Sequence, residues 1–462
     1  MSGAERDGRR PAARAVIAAV ADDFAELPAP PAAPRGADGP IGWPGYGEAH
    51  ARARERTGEE ESVVCGVGRV AGTEVVLIGF EFGFFGGSLG ERTGDRLEAA
   101  YSHARERRLP VVSLVATGGS RMQEGMRALS QLQRVARQSA LTRRAGLPQI
   151  AVVRDPTTGG GWATLGAGAD VVLASPGAQI GFAGSRVRPP GEPAHAYTAE
   201  AQLASGHVDA VVPPAGLPAV LGRWLALLTS PAAGPVPPPF ALGATTLPAT
   251  GWEAVRRARS AGRPRAAAYL DAYFEWREEI VGDRCGGVDA GVLCGFGRSA
   301  GGTVGYVAQA GTATAPAGFR TAVRLLRLAD RLGIPVLTLV DTPGAANDAA
   351  AERAGVGAAI AEAFAAVASA EVPITSLLIG EGGSGGALAL AAPGRTWVTP
   401  DGYFSVTAPE AAAAILKRDP EQVPRTAEEL RLRPQDLVEL GVARAVVPPD
   451  PGVPAPHTAP PG

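Results

Sequence analysis

A chain of 462 residues, 45% hydrophobic and 19% charged, has room for two hydrophobic cores and the balance of a globular protein. Its formal net charge of −2 gives no electrostatic basis for nucleic acid or an anionic membrane as partner. Cys65, Cys285 and Cys294 form no C-x-x-C pair and the histidines show no ligand spacing, so neither a disulfide framework nor a bound zinc is expected.

The N-terminus is basic but lacks an apolar signal core, and no stretch is long enough to span a bilayer, which predicts a cytoplasmic protein. Residues 1–42 are rich in Ala, Pro and Arg and are expected to be a mobile tail, with one short helix over Val16–Leu27. A first domain is expected over 43–228. Within it Thr73–Phe80, Val111–Ala116, Ile150–Arg154 and Val171–Ala174 read as strands. Arg92–Arg107 and Glu124–Arg144 read as helices, and a further helix follows the Gly-rich turn at Gly160. Residues 229–270 turn to Pro, Ala and Gly, a linker composition. A second domain is expected over 271–449, with strands at Thr303–Ala308, Val336–Val340 and Ile374–Ile379. Its helices are expected at Gly318–Arg331, Glu352–Ala368 and Gly386–Ala392, and 450–462 form a mobile C-terminal tail.

The two domains read as an internal repeat of α/β type. Leu109-Pro110-Val111 matches Ile334-Pro335-Val336, and Leu147-Pro148 matches Val372-Pro373. Gly159-Gly160 falls opposite Gly385-Gly386, and HVDAVVPP at His207–Pro214 opposite VARAVVPP at Val442–Pro449.

Two segments place a glycine cluster between a strand end and a helix start: Asp155–Ala163 (DPTTGGGWA) and Gly380–Leu390 (GEGGSGGALAL). A helix start carries unpaired N–H groups and partial positive charge, and glycines let a ligand come close to them. Such a turn binds an anion or stabilises a developing oxyanion, although glycines there also serve simple turn chemistry. No G-K-[ST] follows either cluster, and neither has dinucleotide-binding spacing. No G-x-S-x-G or H-E-x-x-H occurs. Asp155 and Asp341 sit at strand ends as candidate bases, though Asp341-Thr342-Pro343-Gly344 also reads as a capped turn. Two matched oxyanion sites suit a reaction in which two carbonyls gain negative charge, as in carboxyl transfer.

FFGGSLGE (Phe84–Glu91), TGGSRMQEG (Thr117–Gly125), DPTTGG (Asp155–Gly160) and PGAQIGFAGSR (Pro176–Arg186) closely resemble the β subunit of bacterial acetyl-CoA carboxylase carboxyltransferase. Pro316–Ala345, Gly380–Leu390 and Phe404–Asp419 resemble its α subunit, in the order β then α on one chain. The resemblance spans roughly 43–449 apart from the linker. It implies two tandem crotonase-like (ClpP/crotonase spiral) α/β domains. The implied activity is carboxyl transfer from carboxybiotin, carried on a separate protein, to acetyl-CoA or another short acyl-CoA. The product would be malonyl-CoA for fatty-acid or polyketide supply. The base would belong to biotin, consistent with the missing side-chain base.

By the same resemblance, Gly159 and Gly160 would donate to the acyl thioester oxygen, and Gly386 and Ala387 to the biotin ureido oxygen. Gly118, Gly119, Arg121, Met122 and Gln123 would line the CoA side, with Arg121 on a phosphate or in solvent. Phe182 would pack on the acyl-CoA or in the core, and Gly382, Gly383 and Gly385 would shape the biotin side. The implied partners are biotin carboxylase, biotin carboxyl carrier protein and a second copy of the chain in a homodimer or larger ring, with sites formed in trans. Two departures stand out. The four-cysteine zinc ribbon of the β subunit is missing, and Ala346-Asn347-Asp348 follows DTPGA in place of an aromatic and a glycine. A decarboxylase or transcarboxylase of malonyl or larger acyl thioesters, and a non-catalytic assembly subunit, are the alternatives.

Overall fold

β-branched runs that bury both faces alternate with amphipathic helices, the pattern that makes a parallel sheet covered by helices. The computed structural model describes residues 10–31 and 36–451, which fall into two units. The first runs to Thr229 and adds Arg284–Gly286; the second takes Ser230–Asp283 and the chain from Gly287.

The first unit opens with α1 (Ala13–Val20), β1 (Asp22–Glu26), α2 (Tyr46–Thr57), β2 (Val63–Val70) and β3 (Thr73–Phe80). It continues with α3 (Glu91–Arg107), β4 (Val111–Thr117), α4 (Gly125–Arg144), β5 (Gln149–Thr158) and the one-turn α5 (Gly159–Gly161). β6 (Val171–Ala174), β7 (Ile180–Gly181), α6 (Ala199–Ala204), β8 (Ala210–Val211) and α7 (Leu217–Thr229) complete it. Among the described residues these strands form one sheet in the order β1-β2-β3-β4-β5-β6-β8, with β7 also on β5. β1 to β3 are antiparallel neighbours, and β3 to β6 run parallel.

The second unit contains α8 (Gly251–Arg259), α9 (Ala266–Tyr273), β9 (Trp276–Glu279), β10 (Val292–Ser299), β11 (Gly302–Gln309), α10 (Pro316–Leu332) and β12 (Val336–Thr342). After these come α11 (Ala349–Arg353), α12 (Val356–Ser369), β13 (Ile374–Gly383), α13 (Ser384–Leu388), β14 (Thr396–Val398) and β15 (Tyr403–Ser405). Its sheet order is β14-β13-β12-β11-β10-β9, with β15 on β13. β11 to β14 are parallel, so both units share one plan: an antiparallel pair feeding a parallel stack.

Several expectations change. The segment read as a mobile tail is packed from Ala13: α1 buries Ala13, Ile17 and Val20. Its continuation is the edge strand β1 rather than helix, because pairing with β2 satisfies that backbone. The segment read as a linker belongs to the second core. Ala232, Val236 and Ala241 pack with Leu270 and Tyr306, and α8 buries Ala254, Val255 and Ala258. Small apolar residues suit close backbone packing as well as they suit a linker, so composition could not separate the two. The helix expected over Glu352–Ala368 is two helices, parted at Gly355 where φ is +78°. At the C-terminus, the Asp450 N–H donates to Ala241 C=O at 3.0 Å, and the expected tail beyond residue 451 lies outside the described residues.

Candidate active site

Each unit builds its site where two central parallel strands end. In the first, a register shift after Val115 sets Thr117 opposite Thr157; in the second, a shift after Val340 sets Thr342 opposite Gly382. The following turn is closed alike. Gly119 N–H donates to Thr117 Oγ1 at 3.0 Å, and Gly344 N–H to Thr342 Oγ1 at 3.1 Å. A neighbouring segment then donates Leu89 N–H to Gly119 C=O at 2.8 Å and Thr314 N–H to Gly344 C=O at 3.0 Å. These counterparts are 225 residues apart throughout.

That register corrects the glycine pairing. Gly159 (φ +63°) corresponds to Ser384 (φ +54°), both left-handed at the strand-to-helix turn. Gly160 therefore corresponds to Gly385 and Gly161 to Gly386. Counting glycines slips by one because a serine holds the strained position in the second unit.

The glycines do two different jobs. A Cβ on Gly386 would stand 2.4 Å from Ala345 N, and one on Gly383 1.9 Å from Pro343 O, so these permit backbone to pack on backbone. A Cβ on Gly159 would lie 3.1 Å from Gly119 Cα. Gly385, in contrast, faces open space, and a Cβ on Gly160 would meet the Leu132 side chain at 2.3 Å.

The donors also sort out. Gly159 N–H is engaged by Phe182 C=O at 3.0 Å, which removes it as the expected thioester donor. Gly118 N–H is taken by Gly86 C=O at 2.8 Å. Gly160 and Gly161 follow at the helix start, where N–H groups have no intrahelical partner; Ser384 to Ala387 hold the same positions in α13. Gly382 and Gly383 are buried in β13.

Apolar surface flanks both turns. Phe182 and Val406 each follow the short strand beside the turn and are 76% and 75% exposed, so Phe182 is not a core residue. Met122 and Met126, four residues apart, are exposed, and Gln123 is half-buried. In the second unit a groove of about 460 Å³ opens beside Ser384 and Gly385, walled by Leu388, Phe404, Val406, Leu437 and Leu440.

Arg121 is neither on a phosphate nor in solvent: it is 1% exposed. Its guanidinium is paired with Glu61 and, at 3.1 Å, with Glu124. It also donates to Ser88 C=O at 3.0 Å, and Tyr46 Oη donates to Glu124 at 2.6 Å. Burial pushes the Glu61 carboxyl up, but Arg121 outweighs it and holds Glu61 below the usual carboxylate range. Sequence reasoning missed this network because Glu61 is 60 residues from Arg121.

Neither aspartate stands free as a base. Asp341 is fully buried between Arg263 (2.5 Å) and Arg265 (3.2 Å), which the local reading as a capped turn did not foresee. Asp155 accepts from Gln179 N–H and Arg10, both at 3.0 Å. In the altered loop, Asp348 caps α11 by accepting from Ala351 N–H at 2.8 Å. Among the described residues no group of three or more His, Cys, Asp or Glu is placed to hold a metal, and no helix is long and apolar enough to cross a membrane.

Two tandem units of this topology, each with a glycine turn opening a helix at the parallel strand ends, define a double crotonase-like α/β protein. Residues 46–206 match the carboxyl transferase domain family, and 245–458 match the acetyl co-enzyme A carboxylase carboxyltransferase-like family. The chain is 42% identical over 439 residues to the acetyl-coenzyme A carboxylase carboxyl transferase subunits beta/alpha of Salinispora arenicola, covering 88% of this chain and 76% of that protein. It is 40% identical to the corresponding protein of Saccharopolyspora erythraea, covering 87% and 74%. It is 34% identical to a probable biotin-dependent acyl-coenzyme A carboxylase beta3 subunit of Mycobacterium bovis, covering 87% and 83%. Among solved structures, a transcarboxylase 12S hexamer superposes with a TM-score of 0.76 at 22% identity, over 95% of this chain and 87% of that one. The chain belongs to the acetyl-CoA carboxylase carboxyltransferase family, with β-like and α-like halves in one polypeptide.

Proposed function

We propose that the chain moves a carboxyl group from carboxybiotin, on a separate carrier protein, to acetyl-CoA or another short acyl-CoA. Carboxybiotin loses carbon dioxide and leaves a biotin enolate. That enolate takes the α-proton of the acyl-CoA, and the acyl-CoA enolate forms a carbon–carbon bond to the carbon dioxide. With acetyl-CoA the product is malonyl-CoA, and biotin regains its N–H.

Gly160 and Gly161 would stabilise the thioester oxygen as it gains charge, with Met122 and Phe182 beside the acyl-CoA. Gly386 and Ala387 would do so for the ureido oxygen, with biotin entering the apolar groove beside Gly385. The observation that carries this reading is the duplicated turn. Both units present the first N–H groups of a helix at matched strand ends, and the aspartates at those strand ends, Asp155 and Asp341, are both engaged by other groups. A base carried by the substrate suits that site.

Biotin carboxylase, biotin carboxyl carrier protein and a second copy of the chain are the partners this reading requires. The test is a carboxylation assay with purified biotin carboxylase, carrier and ATP, comparing acetyl-CoA with propionyl-CoA. Carrier-dependent carboxylated product is expected. Acyl-CoA bound without turnover would instead favour an assembly role, and carrier-independent decarboxylation a decarboxylase.

A further inference from the structure

The two turns match in backbone but differ in what backs them. In the first unit the corresponding positions are Phe80, the last residue of β3, and Leu89, both fully buried. Their counterparts are Gln309, the last residue of β11, which pairs with Val292 as Phe80 pairs with Val63, and Thr314; both are also buried but polar. Gln309 Nε2 donates to Thr314 Oγ1 at 3.0 Å and to Gly386 C=O at 3.3 Å. Gly386 C=O is an acceptor only, so the atom facing it is Nε2.

The helix leaves that carbonyl unclaimed. Ala389 N–H bonds to Gly385 C=O and Leu390 N–H to Ala387 C=O, which skips Gly386. Gln309 supplies the missing partner from β11. Gly386 C=O and Ala387 N–H belong to the same peptide plane, so a donor on the carbonyl orients that plane and polarises its N–H. Gln309 Oε1 meanwhile meets no protein partner among the described residues. An amide kept at full burial with one end unpaired is costly, and an apolar pair like Phe80 and Leu89 would avoid that cost.

We propose that Gln309 is a positioning residue for the biotin side: it holds the Gly386–Ala387 peptide so that the Ala387 N–H points at the ureido oxygen of biotin. The first turn carries the apolar Phe80 and Leu89 at these positions, so the second turn has its own tuning. It rests on the function proposed above.

The test runs the reaction in reverse with malonyl-CoA and free biotin. The bond to the malonyl carboxyl carbon breaks, a bond from it to the ureido nitrogen forms, and the displaced N–H proton goes to the acetyl α-carbon. Gln309→Met keeps the shape and removes the donor. Expected is a fall in kcat of at least about tenfold, with malonyl-CoA affinity by calorimetry within about twofold and an unchanged Tm. An unchanged kcat in folded Gln309→Met overturns the role, as does an equal loss of malonyl-CoA affinity. Should Gln309→Met unfold, Gln309→Leu, which also removes the donor without adding a charge, takes its place with the same criteria. Wild type that binds malonyl-CoA but gives no biotin-dependent turnover defeats the functional reading and this inference together. An active wild type with an equally active variant defeats this inference alone.

Discussion

At the scale of single residues, glycine identity says less than where its missing Cβ would point. Gly385 and Gly386 are adjacent, yet a Cβ enters open space at the first and strikes backbone at the second. Gly385→Val is therefore expected to leave Tm nearly unchanged while lowering turnover by ~10²-fold or more, since it fills the approach to the helix start. Gly386→Val is expected to lower Tm clearly, because the Gly344–Ala345 backbone cannot yield as a side chain does. Thermal melts beside steady-state assays separate the two; a melt of Gly385→Val as damaged as that of Gly386→Val would contradict the assignment.

Arg121 supports a second residue-scale prediction. Truncating it to Ala leaves Glu61 and Glu124 buried without their cation, a loss of about 3–5 kcal/mol for a broken buried pair. Glu61 is held below its unfolded value of about 4.3, so its share of stability is complete above that pH and disappears as pH falls through the lower folded value. Glu61→Gln should flatten the acid limb of the Tm–pH curve; an acid limb as steep as wild type would show the pair contributes nothing there.

At the scale of elements, the N-terminal arm is part of the first core. Ile17 of α1 sits on β3, where a Cβ on Gly79 would come within 2.8 Å of its Cδ1. Ala13 N–H donates to Glu81 at 2.8 Å, and Pro11 C=O accepts from Arg154 at 3.0 Å. Ile17→Ala is expected to destabilise the first unit by about 2–5 kcal/mol. Hydrogen exchange should show the loss across β2 and β3 and none across β11 to β13. Protection unchanged in β3 would mean the arm is not structurally required.

At the scale of the whole molecule, the partition of sites between copies is testable with the turn variants. If sites form in trans, co-expressing Gly160→Val with Gly385→Val chains gives mixed dimers that keep one intact site of two. Random pairing then returns about a quarter of wild-type activity for a closed two-fold dimer. No recovery, with mixed dimers shown to be present, excludes the trans arrangement.

The sequence by itself determined the class of fold, the repeat and the two turns, because these depend on local order: strand, glycines, helix start, recurring after a fixed interval. Family membership was legible in the same contiguous motifs. What only the tertiary structure decided lies in contacts across long separations. The register of Gly160 against Gly385 depends on Ser384 adopting a left-handed φ, which no glycine count reveals. Arg121 was misplaced because Glu61 closes on it from another segment, and Asp341 because Arg263 and Arg265 do. The arm and the Pro/Ala-rich segment looked like tail and linker because composition records what a segment can do. Whether a sheet face or a core lies waiting for it is settled only when the distant chain has folded.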